Sequence, residues 1–316
     1  MERFNNWMSY HYDDDSSFKQ FRTSILSLNI KNIQGKDIDH YQALVRNAEI
    51  IRDSYKEKFD VMLSGGIDSE LIVRINHLLG IPQNVFFFKL ENDYNILDYL
   101  SAKKICNDLN IQLKVINFNL KEFFDNDAEY YYNNTFCGQI AILPRFKFIE
   151  MLDNIPVFGG GEPYYRRKNQ SDYTTKSQWI LNWIEHELFM GIYGDRINRK
   201  IIGEWYLYTP EVVLSYHKNK IIKNVLADRV YGKLSTWSSR TEVYKSMFPQ
   251  IEHKPKLVGY EGRSTPNDMP DFMKDFHNKI IKGTANVEFN FSLKQVRTEF
   301  NSRSTTGRLR TYKGNV

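Results

Sequence analysis

Two adjacent glycines set between an apolar run and a helix-like stretch constrain this chain more than any other feature. Residues 64–69 read Ser-Gly-Gly-Ile-Asp-Ser, preceded by Phe59-Asp-Val-Met-Leu63 and followed by Glu70-Leu-Ile-Val-Arg-Ile-Asn-His-Leu-Leu79. The order predicts a strand, a tight turn and a helix. Paired glycines let the backbone turn sharply and approach a ligand, while the N–H groups of the turn and of the helix start converge on one spot and can hold an anion. Ser64 and Ser69 add hydroxyl donors, and Asp68 adds a carboxylate suited to a magnesium ion bridging phosphates. The glycines Gly65 and Gly66 with these three side chains form a phosphate cradle with its own metal ligand. A string of this kind is expected by accident in roughly one chain of this length in ten thousand, so an ordinary strand-to-helix turn is the weaker reading.

Other elements follow from periodicity. Residues 38–57 carry apolar positions at helical spacing. Strands are predicted at 84–90, 112–117 and 155–158, with a helix over about 95–109. Strands alternating with helices predict parallel crossover units in an open α/β sheet, and such sheets bind ligands at the carboxyl ends of their strands, where the glycine turn lies. After the strand at 155–158 come Gly159-Gly160-Gly161-Glu162-Pro163 and then Tyr-Tyr-Arg-Arg-Lys168. These glycines again permit close backbone approach, and the Glu162 carboxylate could share the magnesium. Later, Lys254-Pro-Lys256 opens a glycine-containing loop that could place an ammonium near a phosphate or an oxyanion. Residues 1–36 read as a polar, irregular extension, 37–170 as the α/β domain that carries the phosphate cradle, and 171–316 as a largely helical region with a basic tail. Helices are predicted over 178–193 and 215–231.

Composition narrows the classes. With 316 residues, 41% of them apolar, the chain can bury a sizeable core. No apolar run reaches the roughly 20 residues that span a bilayer, and the amino terminus has no signal-peptide core, which predicts a cytoplasmic protein without membrane partners. Cys106 and Cys137 form no Cys-x-x-Cys pair, so structural zinc and a disulfide framework are not expected. A net charge of +5 does not by itself argue for nucleic acid. The Gly-x-x-x-x-Gly-Lys-Ser/Thr pattern is absent, leaving γ-phosphoryl transfer without support.

The 64–69 string resembles the PP-loop of the ATP pyrophosphatase superfamily, whose members cleave ATP between the α and β phosphates. Over roughly residues 38–265 the chain is similar to the synthetase domain of asparagine synthetases and the related β-lactam synthetases. Four matches occur in order: Ser64 to Ser69 as the ATP loop; Asp98-Tyr-Leu-Ser-Ala-Lys-Lys-Ile-Cys-Asn-Asp-Leu109 as the helix after the second strand; Gly159-Gly-Gly-Glu162 as a reduced second loop; and Lys254-Pro-Lys-Leu-Val-Gly-Tyr-Glu-Gly262 as the late lysine segment. The resemblance implies a PP-loop (Rossmann-like) sheet, ATP and Mg2+ as cofactors, adenylation of a carboxylate, and opening of the acyl-adenylate by an amine or ammonia. Lys256, or Lys254 in its place, would stabilise charge on the reacting groups. Without a gap the family's second-loop aspartate falls on Pro163, and a one-residue shift brings Glu162 to its place. Glu2 follows Met1 where a glutaminase domain would carry its cysteine, so the resemblance leaves nitrogen to free ammonia, a partner subunit or a bulkier amine. Two other readings stay open: modification of a nucleobase or nucleic acid, for which Arg297, Arg303, Arg308, Arg310 and Lys313 would form a phosphate-contacting arm, and noncatalytic nucleotide binding.

Overall fold

In a computed structural model of the chain, the described residues are 37–135, 137, 140–160, 164–165, 190–191, 193–227, 236, 239–252, 270–276 and 278, together with the backbones of 3–4, 8–12, 26–30, 166–167, 179–184, 186–189, 192, 288–292 and 305–307. Helix α1 (His40–Tyr55) starts where the Asp39 carboxylate accepts from the Gln42 N–H at 3.0 Å, and it stops at Lys56, whose left-handed φ of 51° turns the chain away. Its inward stripe, Ala43, Leu44, Ala48 and Ile51, is buried. The chain then enters the strand β4 (Phe59–Met62), helix α2 (Ile67–Leu78), β5 (Gln83–Leu90), α3 (Ile96–Asp108) and β6 (Leu113–Phe118). Three helices, α4 (Leu120–Asn126), α5 (Ala128–Thr135) and α6 (Leu143–Met151), lead to β7 (Ile155–Phe158). All four strands are parallel, in the order β6-β5-β4-β7. This is the open α/β sheet expected from the alternation of elements.

Parallel strands joined by crossover helices are covered on both faces, so their residues are apolar in succession. All four residues of β7 are buried, and so are Phe59 to Val61 of β4. The exception within β4 is Asp60, fully buried near the amino end of the sheet. Its carboxylate accepts from Asn84 Nδ2 (2.7 Å), Asn154 Nδ2 (2.9 Å) and the backbone N–H groups of Asp153 (3.1 Å) and Asn154 (2.8 Å). One buried charge thereby ties the starts of β4, β5 and β7 together at the end of the sheet away from the glycine turn.

The strand order reverses between β4 and β7: β5 and β6 are laid down on one side of β4 and β7 on the other. The 64–69 loop follows β4 and Gly159 follows β7, so both lie at the carboxyl ends of the strands flanking the switch point, where open α/β sheets bind ligands. The segment after α7 (His186–Arg196) runs beside β7, with Ile202 N–H donating to Pro156 O and Phe158 N–H donating to Ile202 O, both at 2.9 Å. A short turn of 3-10 helix, Trp205–Leu207, follows, and the buried Asn47 of α1 pins it by donating to Trp205 O at 2.8 Å. Then come α8 (Pro210–Lys218), α9 (Lys220–Leu226), α10 (Arg240–Met247) and α11 (Asp271–Phe276).

Three expectations are corrected. The helix expected over 215–231 is instead two helices, α8 and α9, broken at Asn219, whose side chain caps the second by accepting from the Ile221 N–H at 2.9 Å, and 228–231 lie outside the described residues. The stretch 178–193 is not one helix: its first part is the strand β9 (Trp179–Ile184), which pairs antiparallel with β8 (Tyr164–Arg167) and β10 (Glu288–Ser292). Trp and Ile favour strands, and partners distant in sequence decide the matter. The extension at 1–36 is not wholly irregular either, since β1 (Arg3–Phe4), β2 (Met8–Tyr12) and β3 (Leu26–Ile30) form an antiparallel sheet with β11 (Thr305–Gly307). Cys106 and Cys137 are both buried and are not joined in a disulfide, and burial pushes the Cys106 thiol up to about 11. No described helix is long and apolar enough to cross a membrane.

Candidate active site

The loop after β4 is shaped by its glycines and stitched by its serines. Gly65 has a φ of +77°, and a Cβ there would lie 2.3 Å from the carbonyl oxygen of Asp98 and 2.8 Å from its Cα. Only glycine lets the turn pass this close beneath the first turn of α3. Helix α3 is set in place by Asn95, whose side chain accepts from Leu90 N–H at 2.9 Å and donates to Phe88 O at 2.8 Å, and Ser101 of the same helix donates to Gly65 O at 3.0 Å. The helix predicted after the second strand thus buttresses the glycine turn.

Ser69, buried in the first turn of α2, accepts from the Ser64 N–H at 3.1 Å and donates to Gly66 O at 3.2 Å. Its oxygen also lies 3.0 Å from Ser64 Oγ, which accepts from the Gly66 N–H at 3.3 Å. With the Ser69 proton given to Gly66, the Ser64 hydroxyl is the donor of the pair. Both hydroxyls are hydrogen-bonded within the loop. The donors left to face an anion are backbone groups. Gly66 is the N-cap of α2 and has no side chain with which to cap, so the first-turn N–H groups of a 12-residue helix start uncapped beside the turn.

Asp68 stands in that first turn, where the helix macrodipole favours negative charge. Its carboxylate Oδ1 accepts from the guanidinium of Arg240 at 3.0 Å, an ion pair in which the Arg240 side chain is 2% exposed and that of Asp68 18%. The Asp68 carbonyl accepts from the Tyr206 hydroxyl at 2.7 Å, and the Tyr206 ring stacks nearly parallel on Tyr244, one helical turn beyond Arg240 in α10. One face of α10 therefore grips Asp68 both directly and through Tyr206.

The second loop meets the first at Gly159. A Cβ on Gly159 would lie 2.7 Å from the Ser69 nitrogen and 2.9 Å from its Cα, so the two backbones are in direct contact. Gly159 bridges to the buried Glu204, and Gly160 O accepts from Tyr206 N–H at 3.4 Å. Of the residues singled out in the sequence, Ser64, Gly65, Gly66, Asp68, Ser69, Gly159 and Gly160 are brought together in this way. Gly161, Glu162, Lys254 and Lys256 lie outside the described residues, as do Arg297, Arg303, Arg308, Arg310 and Lys313. Arg240, Tyr206 and Ser101 were not legible as site residues. Among the described residues no cluster of three or more His, Cys, Asp or Glu could hold a metal ion by itself. Away from this site, Glu150 accepts from the hydroxyls of Tyr131 (2.8 Å) and Tyr193, and burial together with this carboxylate raises both phenols.

No protein-family model matches the chain, and no curated protein matches it in sequence. Among solved structures it is similar to NMN synthetase from Francisella tularensis (18% identity, 38% of this chain and 54% of that one, TM-score 0.30). The chain thus spans about half the length of that synthetase. It is also similar to NH3-dependent NAD synthetase from Campylobacter jejuni subsp. jejuni (15% identity, 78% of this chain and 94% of that one, TM-score 0.33). A third neighbour is the U34-tRNA thiolase NcsA from Methanococcus maripaludis (16% identity, 75% and 88%, TM-score 0.29). At TM-scores of this size the overlap is partial, and the loop itself defines the site.

Proposed function

We propose that the chain is an AMP-forming, ATP-dependent ligase that adenylates a carboxylate and passes the acyl group to an amine or ammonia, in the manner of the synthetase domain of asparagine synthetases. The observation that carries this reading is the uncapped start of α2 at the switch point of a parallel sheet, with Gly159 of the second loop in contact with Ser69. In this reading the uncapped backbone N–H groups at the start of α2 hold the phosphates of ATP. Asp68 fits a magnesium ion: among the described residues its Oδ1 is engaged by Arg240 alone and its Oδ2 has no partner, which leaves a hard oxygen for a hard cation. Magnesium, when bound, neutralises phosphate charge, and Glu162 is the proposed second ligand.

The ammonium of Lys256, or of Lys254, would be aimed at charge developing on the α phosphate and the acyl oxygen. A fixed donor of this kind is worth about 3–4 kcal/mol in a dry site. The two substrates are small molecules, and a separate nitrogen-donating partner is compatible with the reading. Exchange of labelled pyrophosphate into ATP, dependent on added carboxylates, tests it. The exchange is expected to be lost in Asp68→Asn and to fall by roughly 100- to 1000-fold in Lys256→Ala, with ATP binding retained. Full exchange in Asp68→Asn would remove that residue from the metal site.

A further inference from the structure

The ion pair between Arg240 and Asp68 is more than a carboxylate in this position needs. Asp68 sits in the first turn of α2, where the helix dipole and the neighbouring N–H groups already stabilise its charge. A buried guanidinium, 172 residues away in sequence, adds a second positive group to the same spot. Burying an arginine beside a helix N-terminus is costly unless anions are supplied. The Asp68 oxygen at 3.0 Å is one such anion. A pyrophosphoryl group is a larger one, because its oxygens accept the donors of a planar guanidinium fork in pairs.

Helix α10 also delivers the group with unusual firmness. Arg240 and Tyr244 stand one turn apart, and Tyr244 stacks on the ring whose hydroxyl holds the Asp68 carbonyl. The guanidinium is therefore fixed relative to the backbone of the phosphate-facing loop, not merely to the Asp68 side chain.

We propose that Arg240 is a phosphate-binding residue of this site, whose guanidinium passes from the Asp68 carboxylate to a nucleotide pyrophosphoryl oxygen when a divalent cation takes that carboxylate. The proposal rests on the reading that magnesium and ATP bind at the 64–69 loop. No bond is made or broken in the exchange. Arg240 exchanges one anion for another and Asp68 exchanges one cation for another, so each side chain keeps a partner of opposite charge before and after.

The consequence is a signed one. Asp68→Asn releases the guanidinium from the carboxylate and removes a negative charge next to the phosphates. Binding of inorganic pyrophosphate in EDTA should therefore tighten, by about tenfold, the value of one charge-assisted hydrogen bond. Isothermal titration of the full chain with pyrophosphate, in EDTA and in magnesium, is the experiment, with thermal unfolding run alongside to show that each variant is folded. Arg240→Gln should weaken pyrophosphate about tenfold or more in magnesium, Arg240→Lys less, and Asp68→Asn combined with Arg240→Gln should lose the tightening of Asp68→Asn alone. If Arg240→Gln does not fold, Arg240→Lys and Asp68→Asn still decide the matter. A purely structural latch gives the opposite pattern: lowered melting temperatures, unchanged pyrophosphate affinity in Arg240→Lys, and no tightening in Asp68→Asn. That pattern, with normal binding by the wild type, would overturn the role of Arg240 and leave the ligase reading standing. A wild-type protein that binds neither pyrophosphate nor ATP in either buffer would overturn both.

Discussion

Replacing Gly65 by alanine separates two costs that the fold keeps apart at another glycine. At φ +77° an L-residue is strained by about 1–2 kcal/mol. Its Cβ would also sit 2.3 Å from Asp98 O and 2.8 Å from Asp98 Cα, which are backbone atoms that yield only if the first turn of α3 moves. Forcing a methyl group into a filled space costs about 1–3 kcal/mol more, giving a total of about 2–5 kcal/mol. Gly80 supplies the control: its φ is +62°, and a Cβ there meets nothing within 4 Å. Gly80→Ala should therefore show the strain alone, about 1–2 kcal/mol. Urea denaturation of both variants, compared at unchanged m, measures the difference. Gly65→Ala should exceed Gly80→Ala by about 1–3 kcal/mol and weaken nucleotide binding, because α3 can relieve the contact only by disturbing the loop that Ser101 holds. Equal costs for the two variants, with unchanged binding, would refute the claim that the α3 start shapes the turn.

Burial pushes His40 down to about 4, against the slight upward pull of Asp39. Its Nδ1 lies 2.9 Å from Ser215 Oγ, and that hydroxyl donates to Val212 O, so Nδ1 carries the proton in the neutral ring. The unfolded chain takes up a proton near 6.5 and the folded chain only near 4. Stability is therefore full above about 6.5 and is lost as pH falls through that window, by about 3 kcal/mol in all; denaturation between pH 7 and 4 should show a slope that disappears in His40→Gln. Asp60→Asn turns an amide toward the donors of Asn84 and Asn154 and should cost about 2–5 kcal/mol in urea denaturation; a loss under about 1 kcal/mol would contradict its role as the tie between strand starts.

The sheet and its turn were legible because their signals are local. Apolar runs, helical periodicity and two adjacent glycines each lie within a few residues, and β7 fell on its expected bounds at Ile155–Phe158. What local signals missed depends on distant partners. Nothing in the residues around Arg240 marks it, because its meaning comes from a carboxylate far earlier in the chain. Tyr206 reads as one more aromatic in a region rich in them, and only its hydroxyl on the Asp68 carbonyl distinguishes it. The serines of the 64–69 string stand out by type, but their hydroxyls, which would suit a ligand, are used by the turn to bind itself. Trp179–Ile184 suits either helix or strand alone, and antiparallel partners on both sides select the strand.

The central claim, cleavage of ATP between its α and β phosphates, is tested most directly by identifying the nucleotide product. Purified protein with ATP, magnesium and a small-metabolite extract, or in a parallel sample a nucleic-acid pool, would be analysed by mass spectrometry with Asp68→Asn as control. The account predicts AMP and pyrophosphate, stimulated by the metabolite extract and absent from the control. ADP as the product would contradict it, and AMP formed only with the nucleic-acid pool would move the acceptor from a small carboxylate to a nucleobase.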